Sequence, residues 1–379
     1  MESLYQGALD VFLVGVRADF DSVENQAQKS VTSLEQNGLL STDKNTDGIF
    51  TQVSNMETQG NRAVWRHTGT TGVSTTGTRV AGAVYPAGSF IRLWETVVID
   101  PNLQDANQIT VPEERLNAES AEYKDALDRA QKLNLDLRRK NIGDPFDVIN
   151  QAFVAPTSYA NTKFTGKGNN GLDGNNTALS EALITYQHKI ALGNATLATS
   201  STVFGGCSNA VGSSGLFAAL SPTSYNAALE QGATFVSDIG KPMPMFGGMV
   251  TTIVPPANGL VATAKQVNES EWTVGSANNE VNVYKNTMQK IISSPYLINS
   301  INYTTANTQN KKWLLIDGAF TDPKVGTGLV RVCFVPTQSY VYRSADMNAL
   351  VYQAKQSFSY AWVDWRNCLG SLGDNSALS

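Results

Sequence analysis

The longest amphipathic stretch of the chain lies between residues 110 and 141. Apolar side chains recur there at helical spacing, which places them on one face of an α-helix; they are Leu116, Tyr123, Leu127, Ala130, Leu133 and Leu137. Thr110 and Glu113 form a capping-box pattern, and Gly143 and Pro145 are typical of a helix end. The sequence therefore predicts one helix of about 45 Å, which suits a spine better than an enzyme core.

A Gly/Thr-rich stretch separates two β-like runs within residues 63–100. The runs read AVWRH and SFIRLWETVVI, and large apolar residues alternate in the second; they are Phe90, Leu93, Trp94, Val97 and Ile99. This pattern predicts a long two-stranded hairpin with a broad tip. Because an isolated hairpin is marginal in water, we expect it to lie on a neighbouring subunit.

The remaining elements are predicted to be shorter. Residues 1–62 are polar, with a weak helical pattern from Asp19 to Leu40, and are interpreted as an extended arm rather than an ordinary terminal subdomain. Between residues 146 and 245 we expect two short helices, one from Pro222 to Gln231 and one marked by Leu179, Leu183, Tyr186 and Ile190.

Strands are expected to dominate from residue 247 onward, with a helix after Pro256. The predicted strands read GMVTTIV, MQKIISSPYL, WLLIDGAF, LVRVCFV and SFSYAWVDW. In the last of them Phe358, Tyr360 and Trp362 alternate, so one face of that strand is strongly aromatic. Basic residues Lys311 and Lys312 are interpreted as part of a solvated loop.

Composition favours a protein that assembles with copies of itself. Charged residues make up 16% of the chain, whereas about 25% is usual for a soluble domain. So little charge indicates a surface that faces other protein. The net charge of −5 argues against a dedicated nucleic-acid binder.

The cellular compartment is also constrained. No signal-peptide pattern and no membrane-spanning apolar run occurs. Cys207, Cys333 and Cys368 are widely spaced and form no disulfide framework, which fits a reducing cytoplasm.

Catalytic motifs were sought around the two histidines and one Gly-rich loop. His67 and His188 lie outside any HExxH motif, and no GxSxG motif occurs. His67 is interpreted as a hairpin side chain and His188 as a helix-surface residue. Residues 166–176, GKGNNGLDGNN, lack the GK[ST] ending of a phosphate-binding loop and are interpreted as a surface loop.

The run DKNTDG carries the sharpest metal-binding pattern. Asp43, Asn45, Asp47 and Gly48 match positions 1, 3, 5 and 6 of an EF-hand loop, but Ser54 stands where the glutamate is required. We interpret the run as a plain turn that does not need calcium. We therefore expect no catalytic, cofactor-binding or metal-ligating residues and no cofactor.

A series of motifs in the C-terminal third carries a family resemblance. The segments read TTIVPPANGLVATAKQVNES, NNEVNVYKNTMQKIISSPYL, KKWLLIDG and FSYAWVDWRNCLGS. In this order and spacing they resemble the major capsid protein of tailed bacteriophages, the family with the Hong Kong 97 fold. The matching positions are Val254 to Pro256, Asn282 and Tyr284, Ser294 to Leu297, and Trp313 to Ile316.

The resemblance implies an α+β capsid fold with a particular division of the chain. Residues 1–62 would be the N-terminal arm and 63–105 the long hairpin called the E-loop. Residues 106–145 would carry the spine helix of the peripheral domain, and 146–335 the axial domain with interleaved peripheral segments. Residues 336–379 would supply the C-terminal strands of the peripheral domain.

The resemblance also implies a function and its partners. The chain would form hexamers and pentamers of an icosahedral virion shell around non-specifically bound double-stranded DNA, assembled in the host bacterial cytoplasm without a membrane. Portal, cement and scaffold proteins would be partners, and because the chain starts at Met1 we expect the scaffold to be a separate protein. The alternatives are an encapsulin-type compartment and a β-rich carbohydrate-active enzyme or adhesin.

Some relatives with this fold are cross-linked by a hairpin lysine. Here no lysine occurs between Lys44 and Lys124, and the arginines at 66, 79 and 92 are poor nucleophiles. We therefore expect a non-covalent shell.

Overall fold

The computed structural model describes residues 40–41, 50–53, 57–59, 62–67, 93–98, 105–112, 121–153, 182–186, 208–213, 215–235, 245–247, 250–257, 259–272, 281–297, 311–317, 329–344, 349–362 and 365–377. The helices in these ranges are α1 (Ala121–Asn150), α2 (Pro222–Ala233) and α3 (Leu260–Glu269), and Pro295–Leu297 form a 3-10 turn.

Strands supply most of the remaining described structure. They are β1 (Leu40–Ser41), β2 (Phe50–Val53), β3 (Glu57–Gln59), β4 (Arg62–His67), β5 (Leu93–Val98), β6 (Asp105–Pro112), β7 (Gly212–Ser213), β8 (Leu216–Phe217), β9 (Val250–Ile253), β10 (Met288–Ile292), β11 (Trp313–Asp317), β12 (Leu329–Ser344), β13 (Ala349–Trp362) and β14 (Cys368–Ser371). The chain is therefore a mixture of helix and sheet.

A five-stranded sheet is built on the long antiparallel hairpin of β12 and β13. Strand β2 adds to β12 in parallel, with β1 beyond it, and β6 adds to β13 in antiparallel register. Breaks in the register of β12 fall between Cys333 and Gln338, and such bulges increase the local twist of a strand pair.

Helix α1 packs on one face of this sheet. The contact is a small apolar cluster in which residues of α1 meet alternate residues of β13; its buried members are Ala130, Leu133, Leu137, Leu350, Tyr352 and Ala354. Buried Gln356 joins β13 to both neighbouring elements by hydrogen bonds. Its Nε2 donates to the carbonyl of Leu137 in α1 at 3.3 Å, and its Oε1 accepts from Thr337 in β12 at 3.0 Å.

A four-stranded sheet of order β10-β9-β11-β14 forms the centre of the larger core. Strands β9 and β11 are buried along their whole length, as expected for strands covered on both faces. Trp313 is fully buried and its indole N–H donates to the carbonyl of Ala218 at 2.9 Å. The motif positions 254–256, 282–284, 294–297 and 313–316 all lie within or directly beside this sheet and α3.

The two runs predicted to form a hairpin do pair. Strands β4 and β5 are antiparallel, with His67 opposite Leu93, and β3 adds a third strand that the sequence did not indicate. The predicted tip lies outside the described residues, and so does the helical pattern between residues 19 and 39.

The predicted bounds of the long helix were wrong at both ends. Thr110 lies in β6, where it pairs with Val351, so it caps no helix. Helix α1 begins at Ala121 and continues through Gly143 and Pro145 to Asn150. Gly143 serves packing rather than termination, because a Cβ there would lie 3.2 Å from the ring of Tyr296. The predicted apolar face is confirmed at Ala130, Leu133 and Leu137.

The short helix predicted around Leu183 is also wrong within residues 182–186, which form bends. Their backbone groups bond to other segments: Ile184 N–H donates to Ala152 at 2.8 Å, and Thr185 N–H donates to Asn209 Oδ1 at 2.9 Å. The helix from Pro222 and the helix after Pro256 are confirmed as α2 and α3. The five predicted C-terminal strands are confirmed as β9, β10, β11, β12 and β13.

Lys312 was predicted to be solvated, and this was wrong. Its side chain is 2% exposed, and its Nζ donates to Oδ1 of Asn150 at the end of α1. Asn150 Nδ2 in turn donates to the carbonyl of Tyr296 at 2.7 Å. Lys312 therefore joins α1, the 3-10 turn and the start of β11, whereas Lys311 is exposed as predicted.

Candidate assembly surface

The sequence-derived candidate sites lie mostly outside the described residues. This holds for the turn at 43–48, for Ser54, for the Gly-rich loop at 166–176 and for His188. The backbone of His67 lies in β4. The described part of the chain contains no group of three or more His, Cys, Asp or Glu side chains that could hold a metal ion.

Of the three cysteines, Cys368 is described with its side chain, as a buried thiol that donates to Oδ1 of Asn367 at 3.2 Å. No helix among the described residues is long and apolar enough to span a membrane. The exposed surface of the described residues carries a different kind of candidate site.

Three large apolar side chains are exposed together beside α3. Trp272 is 53% exposed, Val281 is 70% exposed and Val283 is 73% exposed. Trp272 and Val281 face each other in an isolated antiparallel bridge, and Val283 begins the turn that follows Val281 and Asn282. We call Trp272, Val281 and Val283 the apolar patch; contiguous exposed apolar surface marks interaction sites.

Asn282 holds the patch against the end of α3. Its side chain is buried, and Nδ2 donates to the carbonyls of Val267 at 2.7 Å and Ser270 at 2.9 Å. Its Oδ1 accepts from the N–H of Tyr284 at 3.0 Å. The Asn282 amide is therefore buried, while the valines on either side of it are exposed to water.

Further hydrogen bonds fix the segments next to the patch, which are the end of α3 and the turn before β10. Asn268 Oδ1 accepts from the N–H of Met288 at 2.9 Å, and its carbonyl accepts from the N–H of Asn286 at 2.8 Å. Ser270 Oγ donates to the carbonyl of Trp272 at 2.6 Å. The exposed side chains thus stand on a backbone that hydrogen bonds hold in place, so little ordering entropy remains to be lost on binding.

Two tyrosines pack against each other next to the segment that carries Val283. The rings of Tyr225 and Tyr284 meet edge to face at 5.8 Å, and the Tyr225 hydroxyl bonds to Thr287 at 3.1 Å. Burial raises the pKa of Tyr225, an effect that the bond to Thr287 partly offsets. Burial also raises the pKa of Tyr284, with a smaller contribution from the Glu230 carboxylate.

Charges of both signs stand at the edge of the patch. Glu271 and Lys285 form an exposed ion pair of 3.4 Å across the Trp272–Val281 bridge. A largely apolar centre with a polar rim is the usual anatomy of a protein–protein interface.

The five-stranded sheet exposes a second, more polar aromatic surface. Tyr340 and Tyr342 of β12 are 45% and 42% exposed, and Lys355 Nζ lies 5.4 Å from the ring centre of Tyr340. Gln353 and Gln108 bond to each other at 3.3 Å. Tyrosine is enriched at protein interfaces because its ring is apolar and its hydroxyl can stay hydrated.

Sequence reasoning missed the apolar patch. The motif around Asn282 and Tyr284 was noticed for its resemblance, and the sequence analysis gave the flanking valines no role. The available signal was a valine on each side of a single asparagine in a segment bordered by polar residues.

Comparisons with known proteins gave matches at the level of structure. No protein family model and no curated protein matches the chain. The chain is similar to the mature capsid of bacteriophage PhiM1, with 14% identity, 85% of each chain covered and a TM-score of 0.43. It is similar to the capsid of Ralstonia phage GP4, with 10% identity, 91% of this chain and 90% of that chain covered and a TM-score of 0.46.

A virus-like particle from Pyrococcus furiosus is also similar, with 8% identity, 93% of this chain and 98% of that chain covered and a TM-score of 0.38. These three neighbours are two phage capsids and a virus-like particle.

Proposed function

We propose that this chain is the structural subunit of an icosahedral phage head and that it has no enzymatic activity. It assembles with copies of itself into hexamers and pentamers that enclose double-stranded DNA. The apolar patch of Trp272, Val281 and Val283 carries the proposal, because it exposes large apolar side chains on a backbone fixed by hydrogen bonds. Covering such side chains contributes about 25 cal/mol per Å² of buried surface.

The arrangement of the elements supports the same function. A helix of 30 residues lies along a sheet built on a hairpin whose strands have 16 and 14 residues. The segments that resemble the capsid family fold into one compact core around β9, β11 and α3. Strand β2, whose residues fall within the predicted arm, pairs in parallel with β12, which would anchor such an arm in the sheet.

The proposed partners follow from this role. Portal, cement and separate scaffold proteins would contact the shell, which is part of the virion and is assembled in the bacterial cytoplasm. With 33 acidic and 28 basic residues, the chain would contact packaged DNA weakly and without sequence preference. The shell would be held by many modest non-covalent contacts acting together.

The test is to make the patch charged without disturbing the fold. In the double variant V281D/V283D the new carboxylates replace exposed side chains, so the subunit should fold and melt within a few degrees of the wild type. Shell formation, measured by size-exclusion chromatography and electron microscopy, should be lost because the charges would be buried without partners between subunits.

Ala262 offers a matched control. It is exposed on α3 and lies outside the patch, so A262D adds one carboxylate, half the charge of the double variant, at a surface position of the neighbouring element. Shells should form from A262D. Normal shells from V281D/V283D would show that the patch does not join subunits.

A further inference from the structure

Arg331 is a buried cation. It lies in β12, its side chain is 0% exposed, and its guanidinium carbon is 3.9 Å from the ring centre of Phe358 and 5.9 Å from that of Tyr360. Within the part of the chain that the structure describes, none of its Nε, Nη1 and Nη2 atoms has a hydrogen-bond acceptor.

Such a group is costly in the subunit alone. A guanidinium remains protonated at any pH a protein tolerates, so it cannot avoid the cost by losing its charge. A buried charge without partners is strongly unfavourable, and stacking on an aromatic ring offsets only part of this. A methionine would fill a similar space beside Phe358 without that cost.

A polar side chain close to Phe358 on the same face of β13 does not serve Arg331. Gln356, two residues before Phe358, uses its Oε1 for Thr337 and its Nε2 for the carbonyl of Leu137. Lys312 provides the contrast, since this buried cation has an amide oxygen of Asn150 as its acceptor.

We propose that Arg331 is an anion-binding position that takes a carboxylate when subunits assemble. The inference rests on the proposed function. A carboxylate is the matching ligand because its two oxygens accept the parallel N–H bonds of a guanidinium. The carboxylate comes either from a neighbouring copy or from a part of the same chain that is rearranged by assembly, and both sources lock the β12–β13 hairpin in its assembled form.

The position of Arg331 in the sheet fits this role. In the register of β12 it stands opposite Tyr360 on one side and opposite Gln52 of β2 on the other. It therefore lies where the predicted arm joins the sheet. A change in how that arm is held would alter the surroundings of the guanidinium.

The first experiment compares R331M with K312M. In the dilute unassembled subunit, R331M should melt at the wild-type temperature or above it, because an unpaired charge is removed. K312M should melt below the wild type, since it leaves the Asn150 amide oxygen without its donor. In assembly assays R331M should lower the yield of shells at least roughly tenfold relative to the wild type, because the incoming carboxylate would have no cation to bind.

The second experiment locates the carboxylate in wild-type shells by electron cryomicroscopy. A carboxylate oxygen within about 3 Å of the Arg331 guanidinium supports the proposal, and the chain that carries it identifies the source. A guanidinium that contacts only water or backbone carbonyls overturns it. So does an R331M subunit that is less stable than the wild type or fails to fold, or one that forms shells in normal yield. If the wild type itself forms no shells, the proposed function fails instead, and this inference fails with it.

Discussion

Polar side chains hold this chain together at positions where the sequence alone favours a surface. Asn209 is fully buried, and its side chain bonds to the backbone of Leu183, Thr185 and Trp365. Asn282 does the same for the segment after α3. Each amide replaces backbone bonds that an irregular segment cannot make for itself, which is why these loops need no regular secondary structure.

Lys312 is another buried polar side chain that joins separate segments. We predict that K312M lowers the free energy of unfolding of the subunit by about 1.5–3 kcal/mol. The reason is that a charge-assisted bond is lost and Asn150 Oδ1 remains without this donor. Denaturant unfolding measures the change. K311M, at the adjacent exposed position, should stay within about 0.5 kcal/mol of the wild type. Equal effects of the two variants would contradict the burial of Lys312.

Tyr225 predicts a loss of stability in alkali. Its pKa is raised from the ordinary value of 10.0 because its ring is buried. The folded state therefore keeps its proton when the unfolded chain loses it, so the stability from this group is fully present below pH 10 and is lost as pH rises through the raised pKa.

The variant Y225F cannot ionise, so its stability should fall less steeply than that of the wild type above pH 10. At neutral pH it should be weaker by about 1 kcal/mol, because the bond to Thr287 is lost. Denaturant unfolding between pH 7 and 11 measures both effects. Parallel stability curves for the two proteins would show that Tyr225 does not contribute to the alkaline loss.

At the scale of elements, the sequence predicted the apolar face of α1 but misplaced its ends. Local signals at Thr110 favour a helix start, yet β6 gains cross-strand bonds to β13 that a helix there would forfeit. Pro145 would normally end a helix, but it and Phe146 are buried, so the last turns are held by the core and by Lys312 rather than by local preference.

The same comparison explains the other elements. Strands β9, β11 and β13 were predictable because β-branched and aromatic residues are concentrated in them. The bends at 182–186 were not, because their partners lie at Ala152 and Asn209, and no local pattern contains that information. The apolar patch escaped prediction for a similar reason, since Asn282 is turned inward by acceptors on α3.

The packing of α1 gives the element-scale prediction. Leu137 is 4% exposed against β13, so L137D should cost about 3 kcal/mol or more by burying an unpaired charge. We expect a lower melting temperature or insoluble protein. Leu135, two residues earlier on the same helix, is 42% exposed, and L135D should melt close to the wild type. If L135D lowered the melting temperature more than L137D, α1 would pack on the sheet by another face.

At the scale of the whole molecule, the folded subunit exposes two surfaces that are suited to contacts with other protein. The apolar patch is rigid and exposed, and the sheet that carries α1 also exposes Tyr340 and Tyr342 on β12. With only 16% charged residues, the chain has few groups with which to cover such surfaces. Repeated contact with further copies would cover them, and many copies make weak contacts sufficient.

Electron microscopy of the purified wild-type protein under assembly conditions is the most direct measurement of this claim. The account predicts uniform closed shells with icosahedral symmetry, built from hexamers and pentamers whose contacts include Trp272, Val281 and Val283. Particles that remain monomers or small oligomers at every concentration and salt condition tested would contradict it.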